Sequence, residues 1–157
     1  MNRPPTDSSS ANDPLLMELL RHELKHPPFH AMLKPEPVSV NRQEGVVVVR
    51  LPYNTSFRRS DDSDEVHGGV IAALIDIAAH AVVAVQIGRM APTVDLRIDY
   101  LRPATGDLFA TARTLKVGRT IARADVEISG GRNEPPFAVG RGTFSTLAPA
   151  SRSSSEE

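Results

Sequence analysis

From Gly68 to Ile87 the chain is almost entirely Val, Ile, Leu and Ala, and a single acid, Asp76, stands at the centre of this run. A segment apolar on every side has two solutions, a membrane span or a helix enclosed by protein. A carboxylate at mid-bilayer is costly, and His80 and Gln86 interrupt the run further, so the enclosed helix is the expectation and a membrane is not. Gly88 supplies its C-terminal stop. Alanines at 72, 73, 78, 79, 81 and 84 would let a curved sheet approach closely.

The material for that sheet lies on both sides. After Pro92 every second residue of Thr93 to Tyr100 is apolar, the signature of a half-buried strand. Further strands are expected at about Asp107 to Lys116, Arg119 to Ser129 and Pro136 to Leu147, separated by Gly118 and the turn-rich segment from Gly130 to Glu134. Upstream, Pro37 to Asn41, a turn at Gln43 to Gly45 and the β-branched run Val46 to Leu51 read as a hairpin, and Asn54 to Glu65 as a polar loop. Leu15, Leu16, Leu19, Leu20 and Leu24 recur at helical spacing behind an Asp13-Pro14 start, giving a short helix over 14–26 that Pro27-Pro28 stops.

The element order β-β-α-β-β-β-β implies an α+β fold, one antiparallel sheet wrapped around one long helix. One sheet cannot cover both sides of such a helix, so at least a dimer is expected. At 157 residues the chain suits a single domain, placed at 14–147, with disordered ends at 1–13 and 148–157.

Composition removes several classes of function. Eighteen Lys plus Arg against nineteen Asp plus Glu, with no long block of either sign, speak against a nucleic-acid partner. With no cysteine, disulfides, thiolate catalysis and Cys-ligated zinc are excluded. The N-terminus lacks an apolar secretion segment, which makes the cytoplasm the expected compartment. Neither Gly-x-Gly-x-x-Gly nor Gly-x-Ser-x-Gly occurs.

Asp76 is the leading candidate for chemistry, since burying a carboxylate costs free energy that a purely structural residue has no reason to incur. Its bland alternative is an acid at an exposed helix edge or hydrogen-bonded for structure. His67-Gly68-Gly69 precedes the helix, where first-turn N–H groups lack intrahelical acceptors and suit a developing oxyanion. The bland alternative there is a glycine-shaped loop with His67 as helix cap. His80, four residues after Asp76, shares its helix face. Two side chains without a third ligand make no metal site, and a hydrogen bond from His80 to Asp76 or across an interface is the simpler expectation. His22, His26 and His30 read as solvated surface. Basic residues at 113, 116, 119 and 123 fall on or near one hairpin; Lys116 and Arg119 are the candidates for binding the phosphates of a CoA-type ligand.

HGGVIAALIDIAAHA resembles the central-helix signature of hotdog-fold acyl-CoA thioesterases of the phenylacetate-pathway (PaaI-like) subfamily, and TVDLRIDYLRPATGD, KVGRTIARADVEI and AVGRGTF resemble the strands that follow. The likeness runs from about Gly45 to Leu147. It implies a hotdog fold and hydrolysis of an acyl-CoA thioester, with Asp76 as general base on water or as nucleophile. It further implies that the Gly68 amide polarises the carbonyl, with Gly69 as a second possible donor, that His67 supports the turn, and that Thr93 helps hold the attacking water. It implies a site shared between subunits, an obligatory homodimer that commonly forms a homotetramer, no metal, and no cofactor beyond the CoA carried by the substrate.

Two residues depart from the family pattern. Asp61 stands where many relatives carry Asn, and His80 stands where a small residue is usual, close enough to narrow the acyl pocket. A non-catalytic acyl-CoA-binding module, a sensor or scaffold, is the alternative, disfavoured by the presence of both His67-Gly68-Gly69 and Asp76. A hotdog dehydratase or hydratase would need a His-rich loop that is not evident.

Overall fold

The computed structural model describes residues 12–148. Most of the ends expected to be disordered, 1–11 and 149–157, lie outside the described residues. At Asn12 the chain is already paired with Val40: its N–H donates to the Val40 carbonyl (2.9 Å), and its side-chain oxygen accepts from Val40 N–H (3.1 Å).

Helix α1 spans Pro14–Lys25, with Asp13 accepting from the Leu15 N–H (2.8 Å) as the N-cap. Leu20 and Leu24 of the expected apolar stripe are buried, whereas Leu15 and Leu19 are exposed. Pro27-Pro28 does more than stop α1. Pro28 is the first residue of a second helix, α2 (Pro28–Leu33), because a proline that cannot continue one helix is well suited to open the next.

Strands β1 (Glu36–Asn41) and β2 (Val46–Leu51) form the expected hairpin, with Gly45 at φ +64° in its turn. The stretch read as a loop between 54 and 65 is more ordered than expected: a 3-10 turn, Thr55–Phe57, leads into a small hairpin of β3 (Arg58–Ser60) and β4 (Ser63–Val66). Then come α3 (Gly68–Ile87), β5 (Thr93–Tyr100), β6 (Leu108–Val117), β7 (Ile121–Ser129) and β8 (Ala138–Ser145).

Six strands form one antiparallel sheet in the order β1-β2-β6-β7-β8-β5, and α3 crosses its inner face. This is the α+β, helix-in-sheet arrangement of the hotdog fold. Although α3 is long and apolar enough to cross a membrane, here it is the core helix: Ile71, Leu74, Ile75, Ala78, Ala79, Val82 and Val83 are buried in it. The inner face opposite is built from small side chains, Ala110 and Ala112 of β6 with Ala122 and Ala124 of β7, all buried. On β8 the approach is closer still, since a Cβ at Gly140 would lie 2.6 Å from Ile75 Cγ2. Glycine there lets the turn of α3 that carries Asp76 sit directly on the sheet.

One stripe of α3 escapes this cover. Ala72, Ala73, Asp76 and His80 are half-buried and Gly69 is exposed, at spacings of three and four. Strand β5, at the sheet edge, likewise leaves Val94 and Tyr100 more than half exposed (63% and 53%).

Candidate active site

Asp76 lies midway along α3, and its Oδ1 accepts a hydrogen bond from Thr93 Oγ1 (2.9 Å). Thr93 opens β5, where the pairing with β8 shifts register between Thr93 and Asp95. Such a bulge adds a residue to one strand and re-aims the side chain beside it, here toward the helix. Among the described residues Thr93 is the one hydrogen-bond partner of the Asp76 carboxylate. The pair borders a cavity of about 290 Å³ lined also by Glu23, His30, His80 and Met90.

At the start of α3, His67 is held by its own N–H, which donates to the Phe57 carbonyl (2.8 Å), and by the neighbouring Val66 N–H, which donates to Ala104 (2.8 Å). The side chain of His67 caps the helix, Nδ1 accepting from Gly69 N–H (2.9 Å). With Nδ1 an acceptor, the proton of the neutral ring resides on Nε2. This cap corrects one expectation. The Gly69 N–H is engaged by His67 and is no second free donor, whereas the Gly68 N–H has no acceptor among the described residues. A Cβ at Gly69 would press on His67 Nδ1 at 3.0 Å, so this glycine shapes the cap.

Gly68 and Asp76 are eight residues apart on one helix, about 12 Å along its axis at 1.5 Å per residue. A single chain therefore brings Asp76 and Thr93 together but does not bring them to the Gly68 donor.

Of the two arrangements expected for it, His80 does not make the hydrogen bond to Asp76 within the chain. Its Nε2 accepts from Ala91 N–H (3.3 Å), and its Nδ1 lies 3.7 Å from Glu23 Oε1. Burial, the dominant influence, lowers its pKa below the usual histidine value of 6.5, against the opposing pull of Glu23 and Asp76. His30 is likewise no free surface residue: its ring bonds the Glu23 carbonyl (3.2 Å) and it lines the Asp76 cavity. His22 and His26 stack on each other, ring centroids 3.8 Å apart. Among the described residues, no group of three His, Asp or Glu is placed to hold a metal ion.

Tyr100 was not singled out in the sequence, yet its hydroxyl donates to the Gly68 carbonyl (2.7 Å) and its ring lies against Gly68. Its position at the end of the period-two strand was the available signal. Glu23, three residues after the buried Leu20, carried a comparable one as an acid on the inward stripe of α1.

Lys116 and Arg119 are exposed at the β6–β7 turn and do not line the Asp76 cavity. Lys116 faces Arg123 directly across the two strands, a juxtaposition of like charges. The larger hollow, about 1090 Å³, is on the opposite face of the sheet. Among the charges lining it, Arg141 pairs with Asp125 and Arg97 with Asp99; Arg113 of the basic hairpin lines it too, whereas Asp76, Thr93, His67, Gly68, Gly69, Lys116 and Arg119 do not.

Residues 65–134 match the family model described as Thioesterase superfamily. A Halobacterium salinarum protein named as a candidate esterase is 32% identical, over 73% of this chain and 83% of its own length. The medium/long-chain acyl-CoA thioesterase YigI of Escherichia coli is 39% identical over 40% of this chain, and the match spans only half of that protein. The structure of the E. coli PaaI protein from the phenylacetic acid degradation operon superposes with a TM-score of 0.68 at 24% identity, covering 82% of this chain and 96% of that one.

Proposed function

The chain belongs to the thioesterase superfamily, and from that premise we propose that it hydrolyses an acyl-CoA thioester to the free acid and CoA. The observation that carries this reading is the Asp76–Thr93 pair: a carboxylate with one oxygen hydrogen-bonded to a hydroxyl, lining a cavity. That is the arrangement needed to hold and deprotonate a water, or to attack a carbonyl directly. The Gly68 N–H at the positive end of α3 supplies the second requirement, a donor for the carbonyl oxygen as it gains charge. The thiolate of CoA leaves with little acid assistance.

The axial separation of about 12 Å means the two halves work in one site only if two chains contribute, Gly68 from one and Asp76 with Thr93 from the other. We therefore propose a homodimer, and its further assembly to a homotetramer. The half-covered stripe of α3 and the exposed Val94 and Tyr100 on edge strand β5 support a dimer contact there.

Lys116 and Arg119 are the residues we assign to the CoA phosphates. Like charges facing each other across strands are destabilising unless an anion compensates them, and Lys116 opposite Arg123 is such a pair. No metal or cofactor is proposed. The proposed compartment is the cytoplasm, because a substrate bearing phosphates does not cross a bilayer unaided.

The test is release of CoA thiol from a panel of aryl and aliphatic acyl-CoA esters, comparing wild type with Asp76→Asn. Hydrolysis lost in the variant supports the reading. Binding of acyl-CoA without hydrolysis by the folded wild type replaces it with a sensor or scaffold.

A further inference from the structure

The entry into β5 is tied to α3 at two points one helical turn apart. Thr93 Oγ1 donates to Asp76 Oδ1, and two residues earlier the Ala91 N–H donates to His80 Nε2. Asp76 and His80 are four residues apart on the same helix face, so the two ties act on one short segment, Ala91-Pro92-Thr93. Ala91 is fully buried, and its N–H would otherwise have no acceptor.

His80 can accept at Nε2 only while its ring is neutral with the proton on Nδ1. Nδ1 points toward Glu23 of α1, whose Oε1 is buried and accepts no hydrogen bond among the described residues. A buried carboxylate oxygen with a nearby N–H favours that tautomer. The groups facing His80 are Glu23 from α1, His30 from α2, Asp76 on its own helix and the Phe144 ring from β8. His30 in turn bonds the Glu23 carbonyl and ties α2 to α1. Helix α1 lies outside residues 65–134, the part that matches the family model.

We infer that His80 is a positioning residue that sets Thr93 on Asp76 by anchoring the Ala91 N–H, and that Glu23 of the N-terminal helix holds His80 in the accepting tautomer. The inference deepens the thioesterase reading and rests on it for its kinetic consequences, while the anchoring itself is measurable without any substrate. It gives α1 a function: the N-terminal helix walls the Asp76 cavity with Glu23 and buttresses His80 there.

Two variants separate positioning from mere packing. His80→Leu keeps the apolar bulk and removes both ring nitrogens; His80→Gln retains an acceptor for Ala91 and a donor for Glu23. His80→Leu is expected to lower kcat about tenfold, the scale of one lost hydrogen bond, with KM little changed, and His80→Gln to restore most of it. Combined with Thr93→Val, His80→Leu is expected to add nothing, because both remove the same contact. Without substrate, the Ala91 amide of His80→Leu exchanges at least about tenfold faster than in wild type by NMR, the Gln variant stays near wild type, and a crystal structure of His80→Leu shows Thr93 Oγ1 moved out of reach of Asp76. Unchanged Ala91 exchange, an undisplaced Thr93, a Gln variant as impaired as Leu, or effects of His80→Leu and Thr93→Val that multiply would each overturn the inference. A wild type that hydrolyses no ester would sink the thioesterase reading, and amide exchange with the variant structure would still decide the anchoring.

Discussion

Thr93 and Asp76 meet across the gap between β5 and α3, hydroxyl to carboxylate, at 2.9 Å. Thr93→Val is close to isosteric and replaces the hydroxyl with a methyl, so the carboxylate loses the one hydrogen bond it has among the described residues. A hydrogen bond to a charged group contributes about 1.5–3 kcal/mol, so kcat is expected to fall by about ten- to a hundredfold and the melting temperature by several degrees. Steady-state kinetics beside a thermal melt check this.

Gly68→Pro deletes the proposed carbonyl donor while leaving the fold intact. Proline is well accepted at the first position of a helix, and His67 before it is already extended at ψ 135°. Loss of one oxyanion donor costs roughly a hundred- to a thousandfold in kcat. A variant with wild-type circular dichroism and wild-type turnover would remove Gly68 from the site.

Gly140→Ala places a methyl 2.6 Å from Ile75 Cγ2, on the strand against which the Asp76 turn of α3 rests. Overpacking of this kind destabilises by about 1–3 kcal/mol, read as a loss of several degrees in melting temperature. Ile75→Val in the same chain removes only Cδ1, 3.2 Å from the new methyl, and keeps Cγ2, so it is expected to recover little of the loss.

The depressed pKa of His80 makes stability depend on pH in a definite direction. Below its ordinary value of 6.5 the unfolded chain binds a proton that the folded chain resists. The stabilisation from neutral His80 is therefore complete above about pH 6.5 and declines as pH falls toward the lower folded value. Denaturant midpoints between pH 7.5 and 5 are expected to decrease in wild type and to decrease less in His80→Gln, which does not titrate.

The helix α3 and strands β5 to β8 were legible in the sequence because each has a long, uniform pattern. Strands β3 and β4 were not, since three and four mostly polar residues show no period, and their pairing depends on where β4 meets Ala104 and Thr105. Helix α2 was hidden by reading Pro28 as a stop alone. Within the site, an acid in an apolar run and Gly-Gly at a helix start were visible as chemistry. Thr93 rested on family resemblance, because the bulge that turns it toward Asp76 leaves no mark on composition. The partners of His80 were out of reach for a plainer reason: one is a backbone N–H, which every residue except proline carries, and the other is 57 residues away on α1.

The separation of Gly68 from Asp76 along one helix has a genetic consequence. In the proposed shared site, each chain lends a donor to one reaction centre and an acid to the other. A Gly68→Pro chain and an Asp76→Asn chain, each inert alone, would form a mixed dimer in which one centre inherits both lesions and the other neither. Co-expressing the two dead alleles should restore up to about a quarter of wild-type activity, since random pairing makes half the dimers mixed with one working centre in each.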